Sequence, residues 1–224
     1  MKNVINQQLF RHVESQSASF NNLCTIIHKL AAEGVYTGEV VQGKRLLGTF
    51  RLTCNRKNSA SQANIDLSGF DALFRAGLPA AAVPTEFAVG QDGYVVFYAS
   101  GHHTDLYVKL AKLPQEKGSP AFDSRKLGAG DLVAFRLLQP GSYTISNQSG
   151  SQKAELTVLS AGDRLYPDLT KLDPVKVTLS EKSFAPAKIE KWPTQALIIS
   201  IETAGAALDL ERVKSAPDKT SSRK

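Results

Sequence analysis

The first strong hydrophobic pattern lies between Phe20 and Ala31, where Phe20, Leu23, Cys24, Ile27, Leu30 and Ala31 recur every three or four positions. That spacing lines one face of a helix, and Gly34 supplies its C-terminal stop. Leu9, Phe10 and Val13 extend the same face upstream, across a polar interruption at Ser15 to Ser19. The pattern predicts an N-terminal helix that packs on a sheet or serves docking and oligomerisation.

From Val35 the period changes. The run VYTGEVVQGKRLLGTFRLTC is rich in β-branched and aromatic residues and has Gly43 and Lys44 at a hairpin turn. A short strand at Asn64 to Leu67 precedes Phe70, Leu73 and Phe74, whose spacing, closed by Gly77 and Pro79, predicts a second, short helix. PAAAVP then reads as a linker. Strands are predicted at Thr85 to Val89, Tyr94 to Ser100, Asp105 to Leu110, Asp131 to Leu138, Ser142 to Asn147 and Lys153 to Leu159. After the linker DRLYPDLTKLDP, segments at Val175 to Leu179, Lys188 to Ile189, Gln195 to Glu202 and Ala207 to Val213 repeat the style. No repeat with a period of roughly 20 to 50 residues is evident.

The predicted organisation is a helix and hairpin region over 1–78 and a β-sandwich over 79–160. A C-terminal β region over 172–213 pairs with the preceding sheets or forms a reduced second module, and 214–224 is a disordered basic tail. Composition supports a folded core without disulfide staples, since 42% of the 224 residues are hydrophobic. Cys24 and Cys54 lack C-x-x-C spacing and read as buried thiols. No apolar stretch approaches the roughly 18 residues of a membrane span, and the N-terminal residues lack the apolar segment of an export signal. A cytoplasmic setting is expected. The net charge of +6 invites a nucleic-acid reading, but Lys214, Lys219, Arg223 and Lys224 against Asp218 put half of it in the tail.

One segment resembles a known family. FDSRKLGAGDLVAFRLLQPGSYTIS, within Phe122 to Val158, is similar to the C-terminal half of a cupredoxin-like domain, with an FDS-type turn, a Gly-Asp turn and a PG-x-Y strand. TEFAVGQDGYVVFYAS resembles a first hairpin and PVKVTLSEKSFAPAKIEKWPTQALIISI a cupredoxin opening. The resemblance implies an antiparallel sandwich of cupredoxin-like or immunoglobulin-like type, here joined to the N-terminal helix and the short second helix. It also implies an extracytoplasmic setting for many relatives. It places the copper thiolate at Asn147, however, and NQSGSQKAELTV contains no downstream His or Met. A blue-copper site needs soft sulfur and imidazole ligands, so the framework is expected without its metal. Tyr143 is expected to act as a tyrosine corner.

Other candidate chemistry is sparse. His102, His103 and Asp105 fall together in GHHTDLYVKL and are the candidate metal ligands, with a His and a carboxylate two apart on one strand face. His12 and His28 show no ligand spacing. GEVVQGKR lacks the Ser or Thr and the strand-to-helix context of a phosphate loop. Lys44, Arg45, Arg51, Arg56 and Lys57 occur with no acidic residue from 40 to 65 and are the candidate anion-binding residues. No G-x-S-x-G or H-E-x-x-H is present, so no catalytic residue is assigned. NQS at 147–149 reads as a turn, and Trp192 as a packing anchor. The expected function is a non-catalytic assembly or protein-recognition module, with a protein partner or self-association and no cofactor. A metal or redox protein using the His site, and an anion or nucleic-acid binding protein using the basic hairpin, are the alternatives.

Overall fold

A computed structural model describes residues 14–30, 32–71, 85–101, 103–114, 120–160 and 171–213. Within them apolar residues alternate with polar ones along runs bounded by Gly, Pro, Asn and Ser, and these runs are strands. The first is β1 (Ser15–Gln16), followed by β2 (Cys24–Lys29), β3 (Gly34–Gln42), β4 (Arg45–Cys54) and β5 (Gln62–Asp66). Next come β6 (Glu86–Val89), β7 (Tyr94–Tyr98), β8 (Leu106–Leu113), β9 (Phe122–Asp123) and β10 (Leu132–Phe135). The remainder are β11 (Gly141–Asn147), β12 (Lys153–Val158), β13 (Val175–Leu179), β14 (Phe184–Ala185), β15 (Lys188–Lys191), β16 (Leu197–Ile201) and β17 (Leu208–Arg212).

These strands form three sheets around one continuous core. The central sheet has seven strands in the order β14-β13-β16-β10-β2-β7-β5. Two five-stranded sheets, β6-β4-β3-β8-β9 and β1-β17-β11-β12-β15, complete the fold. In the central sheet Ile26 lies opposite Val133 and Phe97, and Val133 opposite Ile199; all four are fully buried. Their neighbours Thr25, Ile27, Leu132 and Ala134 point the other way and are half-buried. One face of the central sheet is therefore the inner face across its width. Both five-stranded sheets pack on it: Phe97 stacks on Phe122 of β9 with centroids 5.5 Å apart, and Lys191 of β15 reaches the Leu137 carbonyl beyond β10.

The chain traces one topology twice. Strands β2 to β8 correspond in order to β10, β11, β12, β13, β15, β16 and β17. In each unit the second and third strands form a hairpin, the third runs parallel to the fifth, and the fourth parallel to the sixth. The residues follow the topology. Ser17 and Ser124, Gly34 and Gly141, and Tyr36 and Tyr143 are each 107 positions apart. Gly34 and Gly141 take φ of 151° and 147°, values that a side chain disfavours. Tyr36 donates its OH to the Ala32 carbonyl at 2.6 Å, and Tyr143 to the Gln139 carbonyl at 2.8 Å.

Each unit gives its leading strand to the other. β9, just before the second unit, pairs with β8 of the first, and β1, just before the first, pairs with β17 of the second. The two joints match in detail: the Val108 amide donates to Ser124 Oγ at 3.1 Å and the Leu208 amide to Ser17 Oγ at 2.8 Å, both hydroxyls being buried. At the centre β2 pairs antiparallel with β10, and Ile26 opposite Val133 are again equivalent residues. A pseudo-two-fold axis therefore passes through that pair.

Where the copies differ, they compensate. Gly38 faces Phe50, whereas the equivalent pair is Ile145 facing Ala154. The large side chain has moved to the opposite strand, and a Cβ on Gly38 would lie 2.0 Å from the Phe50 ring. Arg51 faces Glu86, while Glu155 faces Lys188 with the signs reversed.

The expected fold class needs correction. Phe20, Leu23, Cys24, Ile27 and Leu30 do not line an N-terminal helix: 24–29 are β2, a strand flanked on both sides by β7 and β10, and Ala31 lies outside the described residues. The run Thr25-Ile26-Ile27 is stiff at χ1 and suits a pleated sheet, and the alternation of buried Cys24 and Ile26 with half-buried Thr25 and Ile27 decides the period. Of the short second helix, Phe70 closes a 3-10 turn at Leu67–Phe70; Leu73, Phe74, Gly77 and Pro79 lie outside the described residues, as do Leu9, Phe10, Val13 and the tail over 214–224. The antiparallel cupredoxin-like or immunoglobulin-like sandwich is also revised, because β4/β6, β5/β7, β12/β15 and β13/β16 are parallel pairs distributed over three sheets. Pairing crosses residues 79 and 160: β6 to β8 join strands before 79, and β10 to β12 join strands after 160.

The compensating pairs yield a test. Gly38→Ile alone should destabilise by roughly 1–3 kcal/mol through overpacking, and Phe50→Ala alone by roughly 3–5 kcal/mol. The double variant, which recreates the Ile-Ala pair of the second unit, should cost less than the sum by about 1 kcal/mol or more in urea unfolding. Simple additivity would argue against the equivalence.

Candidate functional site

Local capping chemistry builds one buried polar cluster. Asp66 ends β5 and accepts hydrogen bonds from the Ser68 amide at 3.0 Å, the Ser100 amide at 3.1 Å and the Ser100 hydroxyl at 2.5 Å. That fixes the 3-10 turn at Leu67–Phe70 and brings Ser68 Oγ to 2.9 Å from His103 Nε2, while His103 Nδ1 stands 3.9 Å from Asp71 Oδ2. Ser, His and Asp thus follow one another in the order of a nucleophile, a base and an orienting acid. The order alone does not make a nucleophile. Ser68 is 0% exposed, its oxygen already accepts the Gly101 amide at 2.8 Å, and 3.9 Å exceeds hydrogen-bonding reach. The arrangement latches the turn to Ser100, Gly101 and His103.

This placement bears on the proposed ligand set. His103 points inward and is buried, whereas Asp105 is exposed at φ 54°, with its amide on Ser19 Oγ and its carbonyl accepting from the Gly43 amide. The two do not share a strand face, since both precede β8. His102 lies outside the described residues. Among the described residues no three His, Cys, Asp or Glu side chains converge.

A second pair lies on the seam. His28 Nδ1 is 2.6 Å from Asp131 Oδ1, Asp131 Oδ2 accepts the Gly128 amide at 2.7 Å, and the His28 ring lies against Phe122 at 4.2 Å. Two-fold equivalence maps His28 onto Phe135 and Asp131 onto Cys24, the apolar pair at the other end of the same ladder. The fold therefore accepts either chemistry here. A third polar group is Lys191, 1% exposed, which donates to the Leu137 carbonyl at 3.1 Å and the Trp192 carbonyl at 2.8 Å. Burial pushes its pKa down to about 8. Val89 is its counterpart in the first unit. Neither pattern nor spacing singles out Lys191, and the partner of His28 is 103 residues away in sequence.

The thiols are inert. Burial pushes Cys24 up to about 12 and also raises Cys54, so neither supplies a thiolate near neutral pH. Asn147, where the cupredoxin resemblance places the copper thiolate, organises a turn: its Nδ2 donates to Gln152 Oε1, and its Oδ1 accepts the Ser149 and Ala207 amides.

The basic residues are dispersed. Lys44 and Arg45 sit at the β3-β4 turn, and Arg51 lies within β4 opposite Glu86. Arg56 and Lys57 follow the far end of β4, a ten-residue strand that separates the two groups by roughly 30 Å. Arg56 Nε donates to Gln91 Oε1 at 2.7 Å, and its backbone amide to Glu33 Oε1 at 2.7 Å. It borders a cleft of about 320 Å³ that also exposes Asp92, so one carboxylate faces any anion entering there. A local charge run in sequence is not one patch in space.

Two outcomes are expected. For Lys191 the folded pKa of about 8 lies below the ordinary 10.5, so between those values the unfolded chain retains a proton that the folded chain has released. Stability should therefore rise with pH across that window, by about 3 kcal/mol relative to Lys191→Met, in urea titrations near pH 7.5 and 10.5. Parallel pH profiles for the two proteins would contradict the assignment. On the seam, His28→Phe with Asp131→Cys, which copies the Phe135-Cys24 end, should be more stable than Asp131→Cys alone by roughly 1 kcal/mol or more, because the single change leaves the half-buried His28 ring nitrogen without its partner, while the Gly128 amide loses its acceptor in both variants.

No family model, curated protein or solved structure matches this chain.

Proposed function

We propose that this chain is a non-catalytic assembly or protein-recognition module that works through a strand edge. The observation that carries this reading is β5. It ends the central sheet, runs for five residues, and has no strand neighbour on its outer side among the described residues. Unsatisfied edge groups invite another strand, and main-chain pairing supplies affinity without any catalytic group. The buried polar clusters at Ser68, His28 and Lys191 are engaged internally and serve the scaffold instead. Among the described residues no helix is long and apolar enough to cross a membrane.

The family resemblance is retained as part of the proposal. The segment resembling a cupredoxin closing half, Phe122 to Val158, spans β9 to β12, and the segment resembling an opening, 174–201, spans β13 to β16. The metal reading has less support, because His103 and Asp105 point apart. The anion reading has less support too, because Lys44 and Arg45 lie at one end of β4, Arg56 and Lys57 at the other, and Arg51 faces Glu86 between them.

A photocrosslinking residue at Gln62 tests the proposal. In native extract it should give a discrete, saturable protein adduct that Asn64→Pro abolishes, whereas the same label at Lys109, within a paired strand, should not. No adduct at Gln62 under any condition, together with stoichiometric copper or zinc binding lost in His103→Ala, would replace this reading with a metal-binding one.

A further inference from the structure

Resting on the assembly reading above, we infer that the occupant of the β5 edge is a second copy of this chain, the two central sheets joining through antiparallel β5 strands. The six sheet-edge strands among the described residues are not equally available. β1, β9 and β14 are two residues long, β15 carries Lys188 and Glu190 outward, and β6 carries exposed Glu86. Short length and charge are the usual protections of an edge. β5 reads Gln-Ala-Asn-Ile-Asp, with no lysine, proline or bulge. Its one carboxylate, Asp66, is already engaged by Ser68 and Ser100.

The backbone faces the right way. The Tyr94 amide donates to the Ser61 carbonyl at 2.9 Å while Gln62 is the registered partner of Tyr94. In a parallel ladder that geometry turns the peptide groups of Ser61, Ala63 and Ile65 toward β7 and those of Gln62 and Asn64 outward. The internal repeat sharpens the contrast. The counterpart of β5 is β13, whose outer side is covered at Thr178 and Leu179 by β14. The first unit has no equivalent cover among the described residues.

Self-pairing is also chemically complementary. An antiparallel copy centred on Asn64 sets Ala63 against Ile65, extending the buried layer, and Gln62 against Asp66. Asn64 meets its own twin, and amides can pair. No like charges oppose one another, and opposed like charges are what such an interface must avoid. The joint repeats what β2 and β10 already do within the chain, antiparallel pairing of equivalent strands across a two-fold.

The test uses the full chain. Sedimentation velocity should show a concentration-dependent dimer, since edge pairing alone makes a small interface. Asn64→Cys should form a disulfide-linked dimer on mild oxidation, because residues directly opposite in such a pair lie about 5.5 Å apart, within disulfide reach. Gln62→Cys, opposite Asp66 and not itself, should crosslink at least about tenfold more slowly. Cys24 and Cys54 are buried and do not compete. Asn64→Pro removes an outward amide and should weaken association by about tenfold or more. Asn64→Lys keeps the backbone and should weaken it in low salt, with recovery in high salt. A chain that stays monomeric at every concentration, equal crosslinking at 62 and 64, or a dimer indifferent to both Asn64 variants would overturn the inference. If Gln62 still captures another protein in that case, the assembly reading survives; if it captures nothing, both fall.

Discussion

Antiparallel pairing of β2 with β10 is the joint on which the rest of the molecule depends. It merges two open half-sheets into one seven-stranded layer with Ile26 opposite Val133 at its centre, and so gives both five-stranded sheets a common floor. Without it each unit would expose the inner face of a three- or four-stranded sheet. The burial of Cys24, Ile26, Phe97, Val133, Phe135 and Ile199 on one side of that layer is the direct consequence.

Strand exchange makes the joint mutual. Because β9 completes the first unit and β1 the second, neither unit closes its sheet with its own chain segment alone. Ser17 and Ser124 hold these borrowed strands by accepting amides of β17 and β8, and a buried hydroxyl so placed satisfies a backbone group that would otherwise be costly. The two copies differ in composition while keeping volume and charge balance across the paired strands. Gly38 with Phe50 does the work of Ile145 with Ala154, and Arg51 with Glu86 that of Glu155 with Lys188.

Symmetry also separates what the fold requires from what it tolerates. His28 and Asp131 occupy a position that Phe135 and Cys24 fill with apolar groups, and Lys191 one that Val89 fills. These polar groups are additions to the scaffold, each satisfied by a neighbour within reach, so reactive-looking residues here lead inward. What faces outward is sheet, and the least guarded part of it is the edge of β5.

Much of the strand pattern was legible from local alternation: Val175 to Leu179 forms β13 as read, and Ser142 to Asn147 and Lys153 to Leu159 differ from β11 and β12 by a residue at one end. The GVYT and GSYT runs at Gly34 and Gly141 also announced the repeat, but their 107-residue spacing exceeds the short periods of solenoid repeats, and the sign-reversed charge pairs hide the likeness in sequence. Helical spacing from Phe20 to Leu30 misled, because residues of a loop and of a strand happened to fall at intervals of three and four. Of the site, only the Asp66-x-Ser68 cap was a local signal. Periodicity and turn chemistry act between near neighbours, so the sequence by itself determined where the chain would extend and turn. Which strands pair, which half receives β1 and β9, and whether His28, His103 and Lys191 meet a partner are decided by contacts between distant segments, which exist only once the two units have closed on each other.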